Sequence, residues 1–205
     1  MEVMFVRKIE NNYFKNKNII GLIGEYSDLL SLVNKPDKIN TNFNQTVKKC
    51  LGKETYLIEN FSLNKDIVNK KIKNLSQTEL KILTLIKTIE INPELIILKN
   101  FEIGINEKYL NTIVKFLKNI NIERKIKIVV LSNNPLFLNK ITKTIIIMKN
   151  NIIKYQGEII PAIASGLLPK PEIIKFIDLA NKKGAGLDYT LDGKELLKDI
   201  YRSVY

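Results

Sequence analysis

From Ser76 to Gln156, short apolar runs alternate with amphipathic stretches of helical spacing, and that alternation admits few folds. Leu80, Leu83, Ile86 and Ile89 share one helical face, Pro93 stops the run, and Glu94–Leu98 (ELIIL) follows as a strand. Tyr109, Leu110, Ile113, Val114, Leu117 and Ile120 form the next helical face, ahead of a buried strand at Ile126–Leu131 (IKIVVL) and a short helix from Pro135. Thr144–Met148 (TIIIM) and Ile152–Gln156 (IIKYQ) flank Asn150-Asn151, a pair suited to the positive φ values of a two-residue hairpin turn. Upstream, Asn18–Ile23 (NIIGLI) ends in Gly24 and leads into an apolar stretch through Leu29, Leu30, Leu32 and Val33, which reads as strand, turn and helix. Such strands bury both faces, so the fold class is α/β: a mostly parallel sheet with helices on both faces and a hairpin at its edge. In these sheets ligands bind at the carboxyl ends of the strands.

The flanking segments say less. Residues 34–60 are polar and poorly periodic, with Pro36 and Gly52 as breakers, and a strand at Thr55–Ile58 is the element expected there. After Gly157, Pro161, Gly166, Pro169 and Pro171 precede a helix with Ile173, Phe176, Ile177 and Ala180 on one face, ended by Gly184 and Gly186. A last helix opens with Asp192 and Glu195 at capping-box spacing and carries Leu196, Leu197, Ile200 and Val204 as its stripe. The chain divides on this reading into a main unit over 1–157 and a small helical appendage over 158–205.

Composition excludes several chemistries. There is no histidine, which removes His-based triads, His metal sites and His general bases. The one cysteine, Cys50, reads as a packed thiol. A net charge of +12 raises nucleic acid or an anionic membrane surface as partners. The basic residues are nearly all lysine, with only Arg7, Arg124 and Arg202 as arginines, and no lysine block is interleaved with stacking aromatics. The charge reads as a solvated surface, and nucleic acid is not an expected partner. No run of eighteen uncharged apolar residues is present, and Met1–Lys8 lacks the order of a signal peptide, so a cytoplasmic location is expected, at most peripheral at the inner face of the membrane.

The segment LSQTELKILTLIKTIEINPELIILKNFEIGIN, Leu75 to Asn106, resembles the core of ATP-binding-cassette (ABC) transporter ATPases without a gap. In that family an LSGGQ signature opens a helix, a Pro closes it, an apolar strand ends in Asp-Glu, and a Gly-Leu-Asp turn follows. Leu75, Ser76, Gln77, Thr78 and Glu79 stand at the signature, and Gly104 and Asn106 at the conserved turn. VVLSNNP (Val129 to Pro135) sits where the family has a strand ending in a switch His, and Ile145 to Glu158 looks like its strand, tight turn, strand and Gly. Ile19 to Val33 resembles the strand and phosphate-binding loop GxxxxGKST, with Gly24 and Ser31 kept, Leu29 in place of the second Gly and Leu30 in place of the Lys. Leu167 to Ile200 resembles the C-terminal extension of the A components of energy-coupling-factor (ECF) transporters, with Leu168-Pro169, Lys182-Lys183-Gly184 and Asp192-x-x-Glu195-Leu196 matching its plan.

The resemblance implies a P-loop NTPase-like sheet with a trimmed helical subdomain, for which Gln45 is the candidate coupling glutamine, and an adenine-stacking aromatic drawn from Tyr13 or Phe14. It also places Lys99 where Asp binds magnesium, Asn100 where Glu is the general base, and Asn133 where the switch His contacts the γ-phosphate. Lys99 repels magnesium and Asn100 accepts no proton from water, while Glu102 is the nearby carboxylate. No catalytic residue, no metal site and no cofactor are therefore expected, ATP and Mg entering only if the altered site still binds them. Lys99 is expected to pair with Asp28 or Glu25 in their place. For LSQTE the alternative is a plain capping box, Ser76 with Glu79. The implied function is a non-catalytic subunit that pairs with an active ABC ATPase paralogue and a transmembrane component. The alternatives are a subunit whose ATP site is completed only by a paralogue, and a basic DNA-associated cassette protein.

Overall fold

The computed structural model describes residues 2–9, 14, 18–33, 36–61 and 63–204. Seven strands, β1 (Glu2–Val6), β2 (Ile19–Ile23), β3 (Asp37–Lys38), β4 (Leu95–Lys99), β5 (Lys127–Leu131), β6 (Thr144–Lys149) and β7 (Ile152–Glu158), form one sheet. Its order is β3-β1-β4-β5-β2-β6-β7. The central four, β4, β5, β2 and β6, run parallel, while β1, β3 and β7 are antiparallel to their neighbours. Eight α-helices accompany them among the described residues: α1 (Tyr26–Leu32), α2 (Val47–Leu51), α3 (Gln77–Glu90), α4 (Glu107–Arg124), α5 (Pro135–Ile141), α6 (Ile159–Ala164), α7 (Glu172–Lys182) and α8 (Gly193–Val204). The expected α/β class is observed.

Side chains alternate across the sheet, as the pleat requires. Ile96, Leu98, Ile128 and Val130 face the larger core with α2 to α5, whereas Leu95, Ile97, Val129 and Leu131 face a smaller one closed by Leu29 and Val33 at α1 and by Phe14. Burial is what holds α3 there: Ile82, Leu83, Leu85, Ile86 and Ile89 are all buried, each contributing roughly 1.5–3 kcal/mol. The hairpin turn behaves as its residues dictate, with Asn150 and Asn151 at φ 53° and 62°.

Three expectations change. Thr55–Ile58 is not a strand but part of a 3₁₀ helix, Gly52–Phe61, which buries Leu57, Ile58 and Phe61 and sets Phe61 edge-on to Phe116 at 4.6 Å. Its apolar residues mimic a short strand in sequence, and packing on α3 and α4 decides the outcome. The strand β1, not anticipated from VMFV, is fixed by pairing with β4 from Glu2↔Lys99 to Val6↔Leu95. On α7 the buried residues are Ile174 and Ile177, whereas Phe176 is exposed; on α8 Leu196 is buried and Leu197 exposed. The Val204 side chain lies outside the described residues. Leu168, Ile174, Ile177, Leu187, Leu191 and Leu196 of the tail join the same core cluster as β4 and α3.

Candidate functional site at the carboxyl edge of the sheet

The parallel register aligns the carboxyl ends of the central strands, pairing Lys99 with Leu131 and Leu22 with Leu131. Asn100 N donates to Leu131 O at 2.8 Å and Ser132 N to Leu22 O at 3.0 Å, tying three strand ends together. Gly24, Lys99, Asn100, Ser132 and the turn after β4 thus share one edge. This is where the fold class places ligands.

At the end of β2 only Gly24 and Glu25 separate strand from helix. A phosphate loop needs several unwound residues whose N–H groups converge on an anion. The expected loop positions are helical instead: Leu29 lies in the core at 0% exposure, Leu30 is exposed on α1, and the Ser31 hydroxyl donates to Asp28 O at 2.7 Å. The anion at this turn belongs to the chain. Asp28, 2% exposed, accepts Glu25 N–H on Oδ2 at 2.9 Å and Asn151 N–H on Oδ1 at 2.6 Å. Gly24 permits the approach, because a Cβ there would stand 2.8 Å from Asp28 Oδ2 and 3.1 Å from Met148 O.

The expected ion pair between Lys99 and Asp28 or Glu25 does not form. Both Asp28 oxygens are taken by backbone donors, and the Lys99 ammonium lies over the Tyr26 ring, 4.4 Å from its centre. Asn100 sits at φ 48°, a left-handed conformation that its short amide tolerates. The cation buried at this edge is Lys81 of α3, 1% exposed. Its Nζ donates to Phe101 O at 3.0 Å and to Ile103 O. Burial pushes the ammonium below the ordinary lysine range, with the charge of Glu102 opposing the shift. Glu102 Oε1 accepts from the Ser132 hydroxyl, and its Oε2 is buried with no hydrogen-bond donor among the described residues. The sequence did carry a sign of Lys81: it stands four residues before Leu85 and eight before Ile89, on the face α3 buries.

The signature-like segment forms the capping box. Ser76 Oγ accepts Glu79 N–H at 3.2 Å, Glu79 Oε2 accepts Ser76 N–H at 2.6 Å, and Lys70 adds an ion pair to Glu79 at 3.2 Å. Burial raises the Glu79 carboxyl, but Ser76 and Lys70 outweigh it and hold the group below the usual carboxylate range. Gln77 and Thr78 meet the turn after β4: Gln77 Oε1 would stand 3.0 Å from a Cβ at Gly104, whose φ is 75°, and Thr78 Oγ1 lies 3.5 Å from Gly104 O. Asn106 caps α4, its side chain accepting Tyr109 N–H at 3.0 Å. Asn133 is exposed beside Asn134, the cap of α5. Burial pushes the Cys50 thiol up, with Lys87 and then Gln45 opposing the shift. Phe14 is buried, and Tyr13 lies outside the described residues.

These residues do not fit a magnesium–triphosphate group. The Glu25 N–H of the turn already donates to a carboxylate, and the end of β4 carries an ammonium where a metal needs anionic oxygens. Among the described residues no three His, Cys, Asp or Glu side chains gather as a metal site, and no helix is long and apolar enough to cross a membrane.

No family model matches the chain, and no curated protein matches it by sequence. Solved structures do. A dimeric bacterial ABC transporter cassette superposes with TM-score 0.57 at 13% identity, over 77% of this chain and 98% of that one. A nucleotide-free ATP-binding cassette from an ABC transporter gives 0.56 at 12% identity, over 86% and 98%. A protein described as a cobalt transport ATP-binding protein gives 0.54 at 9% identity, over 77% and 80%. With the parallel order β4-β5-β2-β6 and the antiparallel hairpin at its edge, this chain has the fold of an ABC transporter ATP-binding cassette.

Proposed function

We propose that this chain is a non-catalytic cassette subunit of the ECF A-component type, retained to assemble with an active ABC ATPase paralogue beneath a transmembrane import component. The observation that carries the reading is Asp28: its carboxylate takes the Glu25 and Asn151 N–H groups at the turn where a cassette would cradle phosphate. Leu30 in place of a lysine, Lys99 over Tyr26 and Asn100 at the base position add to it. The chain then needs neither ATP nor magnesium, and it works at the inner face of the membrane by way of its partners. The test is calorimetric titration of the isolated protein with a non-hydrolysable ATP analogue, with and without magnesium. We expect no binding tighter than about 1 mM, a threshold of roughly −4 kcal/mol; a micromolar Kd would overturn the proposal.

One observation favours a second reading, a subunit that completes a paralogue's ATP site. Ser76, Gln77 and Gly104 stay exposed at the carboxyl edge, available to a partner's nucleotide. Adding this chain to the active paralogue then raises its ATPase rate, and Gln77→Trp abolishes the rise. No change in rate leaves the assembly role alone.

A further inference from the structure

Residues 43–74 hold seven lysines and three acidic residues, without an arginine. The structure gathers them on one lobe. Segment 43–47 lies antiparallel to 70–73, bridged at Thr46↔Lys71, with Val47 N donating to Lys70 O, Ile72 N to Gln45 O and Lys73 N to Phe43 O, each at 3.0 Å. Val47, Cys50, Leu51 and Ile72 are buried inward, which leaves Lys48, Lys49, Lys71 and Lys73 exposed outward. Lys49 N donates to Thr46 Oγ1, so α2 starts beside Lys71. Phe43 stands next to Lys73 with half its surface exposed, 52%.

Ion pairing leaves most of this lobe's positive charge open. Elsewhere some surface lysines meet carboxylates, as Lys87 with Glu90, Lys140 with Glu107, Lys175 with Glu172 and Lys198 with Glu195, while others such as Lys108, Lys115 and Lys143 stand scattered without one among the described residues. Within the lobe Glu54 is committed to Arg124 at 3.3 Å and Glu59 lies 4.0 Å from Lys65, while Asp66 remains exposed. Among the described residues Lys48, Lys49, Lys71 and Lys73 have no ion-pair partner. Four unpaired ammonium groups beside one exposed aromatic ring call for an anionic surface. Lysines act as point charges that suit a plane of mobile anionic headgroups, whereas nucleic-acid readers rely on arginine forks and stacked aromatic platforms. A half-exposed phenylalanine suits the headgroup level of a bilayer.

We propose that this lobe docks on an anionic lipid surface, with Lys48, Lys49, Lys71 and Lys73 supplying the attraction and Phe43 the apolar anchor. The attraction belongs to this chain alone and needs no partner subunit, so it stands or falls separately from the assembly role. The test is co-sedimentation of the whole protein with vesicles of phosphatidylcholine alone or with roughly one-third phosphatidylglycerol. We expect binding to the anionic vesicles only, fading as salt rises from about 50 to about 500 mM. Changing the four lysines to Gln should weaken partitioning by at least about tenfold, and Phe43→Ser by about threefold. Changing Lys175, Lys182, Lys183 and Lys194 to Gln removes the same charge from the tail and should leave partitioning within about twofold. Equal losses in the two lysine variants, with thermal unfolding unchanged in both, would reduce the effect to net charge and overturn the proposal. So would absence of binding to anionic vesicles, or tighter binding to duplex DNA than to vesicles at the same salt.

Discussion

At the β2–α1 turn a carboxylate sits on backbone N–H groups; at the β4–α4 turn an ammonium sits on backbone carbonyls. Asp28 and Lys81 are sign-reversed solutions to one problem. A ligand-binding edge exposes oriented backbone donors and acceptors, and burying them unpaired costs a few kcal/mol each. This chain satisfies them from within. The two solutions differ in cost, because Asp28 is met by two neutral donors at short range, whereas Lys81 needs a second charge, Glu102, which keeps one buried oxygen without a donor. The lysine turn is therefore the more strained electrostatically, and the carboxylate turn the better satisfied.

Substitutions can break this comparison. Lys81→Ala should cost most, about 3 kcal/mol in denaturant unfolding, since it frees two carbonyls and removes the cation nearest the half-buried Glu102. Lys81→Met with Glu102→Gln should recover more than half of that loss, because the pair is removed together; if the double variant is no better than Lys81→Ala, the two groups are not coupled. Asp28→Ala should cost about 2 kcal/mol through two orphaned N–H groups, without creating nucleotide binding. Gly24→Ala should cost about 1–2 kcal/mol, as its Cβ would press on Asp28 and Met148 O, and Asp28→Ala should relieve part of it. Glu79→Gln should cost about 1 kcal/mol at neutral pH by weakening the cap of α3.

The two pH dependences share one sign, stability rising with pH, but fall in different windows. Glu79 is held below its ordinary 4.5, so the unfolded chain binds the proton more readily; its contribution is complete above about 4.5 and is lost as pH falls through the lower folded value. Glu79→Gln should flatten that acid limb. Lys81 is also held below its ordinary value, 10.5, and here too the unfolded chain binds more protons in the window between the two values. For this cation the consequence is a penalty at neutral pH that is relieved as pH rises toward 10.5, and Lys81→Met should remove that alkaline rise.

Much of the fold was legible along the chain. The periodicity of Leu83, Ile86 and Ile89, the stop at Pro93 and the Asn150-Asn151 turn are local signals, and each element they mark is present. Ser76 and Glu79 were legible as a cap for the same reason: four consecutive residues contain the whole interaction. Phe176 and Leu197 were not, since helical spacing defines a stripe but not which edge of it the neighbouring elements cover. The expected Lys99 ion pair failed because sequence distance said nothing of Tyr26, whose ring lies under the ammonium.

The sequence by itself determined the alternation of strands and helices, the caps and the turns, because these depend on residues within one or two helical turns of each other. Only the tertiary structure decided which charges occupy the carboxyl edge. Asp28 meets Asn151 across 123 residues, and Lys81 meets Ile103 across 22. Such pairings arise when the register of the parallel sheet brings separate strand ends together, and a linear pattern holds no record of that register.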